Sequence, residues 1–336
     1  LTTDWRISMT ALLASIYFLL VDYSPLDPQA RDAMPLPAEI DVRLSCDPSV
    51  PLKVELEDAR DGDGRSVIRG KSPFRRPDAE DLHWVSFDYY RADQPSGRVG
   101  DPRPAVVVSP ITGGGYEVSR LIARDLVAHG YHAVIVRRLE NKKALRAQVA
   151  LRGFENGMRD AIAARRRVID WLVTREEVDS SRIAAYGVSL GGVLTAVLAA
   201  VDDRVVASVV VMGCGDLPAL LCRSVEGDAR RLARTNGVPA NPGPADLRAF
   251  EELARPILQT DPQLLAKHVD PRKIFLVTTR RDKSVPTFLQ ERLRDALGAP
   301  EAISLPTGHY SSVAYLPLIL ERGRWFLARR FVAVDP

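Results

Sequence analysis

The chain has 336 residues, 46% of them hydrophobic and 26% charged, which suits a globular protein of one large α/β domain or two smaller ones. Its 46 basic and 43 acidic residues leave a net charge of +3, too balanced for a nucleic-acid-binding protein and uninformative about a substrate. The three cysteines, Cys46, Cys214 and Cys222, form no Cys-x-x-Cys or Cys/His cluster, so no structural zinc site is implied, and their odd number argues against a disulfide framework. Unpaired thiols are expected, with a Cys214–Cys222 bridge as the alternative in an oxidising compartment.

The chain opens with an apolar stretch, "ISMTALLASIYFLLV", from Ile7 to Val21 behind Arg6. It is shorter than the about 20 residues of a membrane-spanning helix and suits the apolar core of a secretory signal. With no clear cleavage site after it, it also suits a retained anchor. Export or membrane tethering through residues 7–21, on the periplasmic side, is therefore expected. The alternative is a helix packed on a cytoplasmic domain. Residues 22–50 are proline-rich with little periodicity and read as a linker, so residues 1–50 stand apart from a domain over 51–336.

Within that domain, "LKVELEDA" alternates as a strand, "RDGDGR" turns, "LHWVSFDYYRA" is a second β-rich run, and residues 94–104 read as a loop. "PAVVVSP" is a short continuous apolar run, as in a strand buried on both faces. The spacing from Tyr116 to His129 predicts a helix ended by Gly130, then "HAVIVRR" a buried strand. A long amphipathic helix is predicted from Arg152 to Arg175, its Arg165-Arg166-Arg167 run reading as a solvated face. "RIAAYGV" is a strand and Leu190 to Ala200 a helix; "VVASVVVMG" and "KIFLVTT" are strands. Pro286 to Leu297 is a helix, "AISLP" a short strand, and Val313 to Phe331 a terminal helix. This alternation predicts an α/β fold with a mainly parallel central sheet flanked by helices. Residues 215–268 carry helical, proline-interrupted sequence with no strand, as expected of a helical cap insertion.

In such sheets ligands bind beyond the carboxyl ends of strands, so the residues after each apolar run are candidates. After "RIAAY" comes Gly187-Val188-Ser189-Leu190-Gly191-Gly192, a G-x-S-x-G turn that lifts a serine hydroxyl into the open at a helix start. After "KIFLVTT" comes Asp282, placed to orient an imidazole, or else to cap a helix or pair with a neighbouring arginine. After "AISLP" comes Gly308-His309. Among the five histidines, only His309 follows a late strand beside a loop-making glycine. The order Ser189, Asp282, His309 is that of a nucleophile, acid and base on this kind of fold. After "AVVVS" comes the glycine-rich loop Pro110 to Tyr116, whose Ile111 N–H, or Thr112 N–H as second choice, joins Leu190 N–H as an oxyanion donor. A dinucleotide loop is the competing reading, but the spacing is neither G-x-G-x-x-G nor that of a P-loop.

On "GVSLGG", "RRDKSVP", "GHYSS" and "SPITGGGY", in this order, the chain resembles the α/β-hydrolase superfamily over roughly residues 80–333. Within it the chain is most similar to bacterial serine esterases of the dienelactone-hydrolase and acetyl-esterase sort, which share the strand-end D-x-x-V-P and a late Gly-His. It departs from many esterases in reading Ser-Pro-Ile-Thr where they have His-Gly. The resemblance implies a serine hydrolase that cleaves a small to medium carboxylic ester through an acyl-enzyme. Ser189 attacks, His309 moves the proton, Asp282 holds the imidazole, and no metal or organic cofactor takes part. The implied partner is a small-molecule ester, with no nucleic acid. A peptidase or thioesterase using the same three residues is the alternative, followed by a non-catalytic membrane-tethered binding module. In residues 215–268, Leu217, Leu220, Leu221, Leu232, Leu247 and Phe250 are expected to pack the cap on the body rather than line an acyl pocket.

Overall fold

The computed structural model describes residues 21–92, 101–139 and 150–332. The apolar stretch 7–21 lies outside these residues except for Val21, as does most of the loop 94–104. Among the described residues no helix is long and apolar enough to cross a membrane.

The strands are β1 (Asp22–Ser24), β2 (Glu55–Arg60), β3 (Ser66–Phe74), β4 (His83–Tyr90), β5 (Arg103–Ser109), β6 (His132–Val136), β7 (Val178–Val188), β8 (Val205–Val211), β9 (Ile274–Thr279) and β10 (Glu301–Leu305). They form one sheet in the order β1-β10-β9-β8-β7-β5-β6-β4-β3-β2. The strands from β5 to β10 pair in parallel, whereas β1 on one flank and β4, β3 and β2 on the other pair antiparallel.

The continuous apolar runs are explained by burial on both faces. Ala105 to Val108, Ile183 to Ala185 and Val209 to Val210 are wholly inaccessible. Because side chains alternate along a strand, Val107, Ala185, Val210 and Leu276 enter one core, and Val106, Val108, Ala184, Tyr186, Val209 and Phe275 the other. Helices Leu151–Leu172, Leu190–Val201 and Thr287–Ala296 cover the first face. Helices Glu117–Ala128 and Leu316–Val332 cover the second through Ile122, Leu126, Ile319, Phe326 and Leu327. Each fully buried aliphatic or aromatic side chain contributes about 1.5–3 kcal/mol through removal from water.

The strand order reverses between β5 and β7. From β5 the chain crosses to β6 on one side. From β7 it steps through β8, β9 and β10 on the other. The helices leaving β5 and β7 therefore depart to opposite faces, and their loops lie at the carboxyl edge where open α/β sheets bind ligands.

Residues 22–50, expected as a linker, are instead fastened to the body. Asp22–Ser24 extends the sheet as an edge strand against β10, and Leu44 is wholly buried. The Arg31 guanidinium donates to the carbonyls of Lys267 (2.9 Å), Ala266 (2.8 Å) and Ala296 (3.0 Å). Point hydrogen bonds of this kind leave no hydrophobic period to read. The arginine run is also corrected. Arg165 and Arg167 are buried, because their donors satisfy inner groups: Arg165 reaches Ser109 Oγ at 2.7 Å, and Arg167 the carbonyls of Pro73 and Val50, both at 3.0 Å. The three thiols are unpaired, with Cys214 buried.

Residues 215–268 hold helices Leu217–Arg223, Gly227–Thr235, Pro244–Ala254 and Pro262–Leu265 between β8 and β9. Leu217, Leu221, Leu232 and Phe250 are buried in the same core as the sheet face, with Leu220 and Leu247 partly buried against it. They pack, as expected. A buried carboxylate ties this segment down: Glu155 accepts Thr260 N–H at 3.1 Å and Thr260 Oγ1–H at 2.7 Å. Glu155→Ala leaves both donors buried without an acceptor, at a cost of about 1–3 kcal/mol. The expected result is a lower urea midpoint at unchanged slope, measured by equilibrium unfolding.

Candidate active site

The turn after β7 bends the chain sharply. Ser189 sits at φ 57°, ψ −124°, a left-handed conformation that costs an ordinary residue of order 1–3 kcal/mol. Close approach of backbone makes the turn possible. A β-carbon on Gly187 would lie 2.0 Å from Gly191 O, and one on Gly191 would lie 2.2 Å from Ser109 O. The Ser189 N–H donates to Val211 O at 2.9 Å, which pins the turn to β8. Helix Leu190–Val201 begins at the next residue, so its first amides are directed toward the half-buried serine. The Ser189 hydroxyl makes no hydrogen bond to a described residue.

Asp282 and His309 are brought together from neighbouring strands. Past the ends of β9 and β10 the chains stay stitched: Arg280 N–H donates to Leu305 O at 2.9 Å and Arg281 N–H to Thr307 O at 3.0 Å. His309 Nδ1 then lies 2.8 Å from Asp282 Oδ2. The Asp282 side chain is fully inaccessible and that of His309 13% exposed. Four donors support the carboxylate. Oδ1 accepts from Ser284 N and Val285 N at 2.9 Å each; Oδ2 accepts from Thr279 Oγ1 at 3.1 Å and Gln290 Nε2 at 3.2 Å. Asp282 thus both braces its turn, as the helix-cap alternative required, and holds the imidazole. An ionised carboxylate only accepts, so Nδ1 carries the ring proton and Nε2 presents its lone pair.

The loop after β5 is the third component. Ile111 is half-buried and Thr112 to Gly115 are exposed. Ser109 and Pro110 pass so near Gly191 that this loop and the serine turn are in direct backbone contact. The backbone N–H groups of Ile111, Thr112 and Leu190 donate to no described group. Arg165, beneath Ser109, has no carboxylate partner among the described residues, and burial pulls its guanidinium down to about 10. Beside the loops of Asp282 and His309, Glu226 from residues 215–268 accepts from Tyr310 Oη at 2.9 Å and from Ser284 Oγ. That hydrogen bond raises the Tyr310 phenol above its ordinary range. Ser224 Oγ–H donates to Ser284 O at 2.6 Å and Val225 N–H to Lys283 O at 3.1 Å. Among the described residues, no three His, Cys, Asp or Glu side chains gather as metal ligands.

Sequence reasoning named Ser189, Asp282, His309, Leu190, Ile111 and Thr112 but missed Gln290, Thr279 and Glu226. Gln290 and Thr279 carried one weak signal: polar residues at a strand end and inside the next helix, on either side of Asp282.

Residues 91–233 match the dienelactone hydrolase family model. Acetyl xylan esterase from Paenibacillus sp. R4 is similar in structure with a TM-score of 0.57 and 18% identity, over 84% of this chain and 92% of that one. Acetyl xylan esterase 1 from Thermoanaerobacterium sp. JW/SL YS485 gives 0.57 and 16%, over 89% of this chain and 99% of that one. The acylaminoacyl peptidase of Pyrococcus horikoshii gives 0.51 and 16%, over 82% of this chain but 41% of that one. No curated protein matches by sequence. The chain therefore has the α/β-hydrolase fold. Its matching part is similar to dienelactone hydrolases.

The strain at Ser189 has a measurable consequence. Ser189→Gly is expected to melt higher than Ser189→Ala by the equivalent of about 1 kcal/mol, the reverse of the usual glycine penalty, because only glycine takes φ 57° freely. Thermal unfolding of the two variants side by side measures it.

Proposed function

We propose that the protein is a serine esterase in which Ser189, His309 and Asp282 act in series on a small to medium carboxylic ester. The observation that carries this reading is the Asp282–His309 hydrogen bond at the sheet edge where the strained Ser189 turn projects. His309 Nε2 takes the serine proton as Oγ attacks the ester carbon. Asp282 holds the ring and stabilises the imidazolium. The amides of Leu190 and of Ile111 or Thr112 receive the developing oxyanion. His309 gives the proton to the leaving alkoxide. Water then repeats the cycle, with His309 as base, and frees the acid and Ser189. Apo hydrogen bonds at such sites are commonly open and tighten only with substrate, so the unengaged Ser189 hydroxyl is compatible with this sequence.

Residues 215–268 are proposed as the cap. Support comes from Ser224, Val225 and Glu226, which hydrogen-bond to the loops of Asp282 and His309. The apolar residues named above are occupied in packing, which favours an acyl group of modest length.

Labelling by a fluorophosphonate probe tests the nucleophile: wild type reacts and Ser189→Ala does not. An unlabelled wild type would return the chain to a non-catalytic binding role. Ser189→Ala and His309→Ala are each expected to lower kcat by about 10⁶, and Asp282→Asn by about 10⁴. Paired ester, thioester and aminoacyl-amide substrates of increasing acyl length separate esterase from thioesterase and peptidase. Highest kcat/KM on short esters is expected.

A further inference from the structure

The loop that carries the proposed oxyanion donor has little of its own to hold it. Gly113 and Gly114 stand at φ 65° and 61°, and among the described residues no neighbouring atom lies within 4 Å of the position of a β-carbon on either. Such a glycine tip is entropically costly to fix. Arg138, two residues beyond β6, grips it. Its Nη1 donates to Ile111 O at 3.0 Å and to Gly113 O at 2.8 Å, and its Nη2 to Gly114 O at 2.5 Å. Its guanidinium also lies 4.5 Å from the centre of the Tyr116 ring. The backbone N–H of Arg138 donates to Tyr116 Oη at 3.1 Å, so residue 138 holds both the tip and the base of the loop.

The consequence follows from the flat trans peptide. Every described peptide is trans, and in a trans peptide C=O and N–H point in opposite directions. Drawing the carbonyl of Ile111 toward Arg138 turns the N–H of Thr112 the other way. The same holds for the N–H groups of Gly114 and Gly115. A cationic donor on the oxygen also polarises the peptide and strengthens its N–H as a donor.

We infer that Arg138 is a positioning residue that aims and polarises the loop amides, Thr112 N–H foremost, at the oxyanion. This rests on the serine-esterase reading above. It also moves the preferred loop donor from Ile111 to Thr112, because the Thr112 N–H shares its peptide with the gripped Ile111 carbonyl. Lysine carries the charge but cannot reach three carbonyls in one plane, so it substitutes poorly.

The test compares wild type, Arg138→Gln, Arg138→Lys and Tyr116→Leu, with fluorophosphonate labelling of wild type in the same series. Arg138→Gln is expected to lower kcat about 10- to 100-fold with KM within about twofold, since an oxyanion donor acts mainly in the transition state. Affinity for an alkylboronic acid, whose tetrahedral adduct with the serine places an oxygen in the oxyanion position, is expected to fall by the same factor. Arg138→Lys is expected to recover only part of the loss. Should the Gln variant fail to fold, Tyr116→Leu carries the same expected split between kcat and KM. A labelled wild type whose folded variants all keep kcat and boronate affinity within about twofold overturns the role of Arg138 alone. An unlabelled wild type overturns the serine-esterase reading and this role with it.

Discussion

Between β5, β7 and β8 three backbone segments meet at distances that leave no room for a β-carbon. Gly187, Gly191 and the Ser109 carbonyl occupy one small volume, and Ser189 is forced into a left-handed conformation above it. This contact sets the relation of the other parts. It brings the loop after β5 against the start of the helix after β7, and it presents the serine at the edge where the parallel strands end. The strain is supported by the sheet below, whose central strands are inaccessible to water on both faces. A turn this tight persists only because the surrounding core over-determines it.

The electrostatic design around that turn is asymmetric. On the acid side, a fully buried carboxylate is satisfied by two amides, a hydroxyl and a carboxamide before it meets the imidazole. Burying a charge is tolerable when every lone pair is engaged, and the ring is then held in one tautomer. On the side proposed to hold the oxyanion, the loop amides donate to no described group, and the guanidinium groups of Arg165 and Arg138 stand behind them. The carboxylate of Asp282 is thus satisfied by its own donors, while cationic groups back the loop proposed to receive the oxyanion.

Much of this was legible in sequence, for particular reasons. β5, β6, β8, β9 and the second half of β7 are nearly continuous apolar runs, and a strand buried on both faces has no polar period to obscure it. The glycines around Ser189 and the positions of Asp282 and His309 after strands gave the site its order. Other features carried no such signal. β3, which contains Gly70 and Pro73 and is not among the strands predicted from sequence, pairs along nine residues between β2 and β4. The inward turn of Arg165 and Arg167 depends on which carbonyls and hydroxyls face the helix, and helical spacing is silent on that. Arg137 and Arg138 looked like the polar end of a strand. Their meaning lies in a loop more than twenty residues earlier, which only tertiary contact reveals.

The packing of residues 215–268 bears on how substrate gains access. Their helices do not rest on the body as a separate layer. Leu217, Leu232 and Phe250 lie in the same apolar mass as the sheet, and Thr260 is locked to Glu155 beneath them. A swinging lid needs a dry seam along which to part, and this segment offers none along the residues named here. This packing opposes displacement of residues 215–268 as a rigid lid, since opening would expose the shared apolar mass to water.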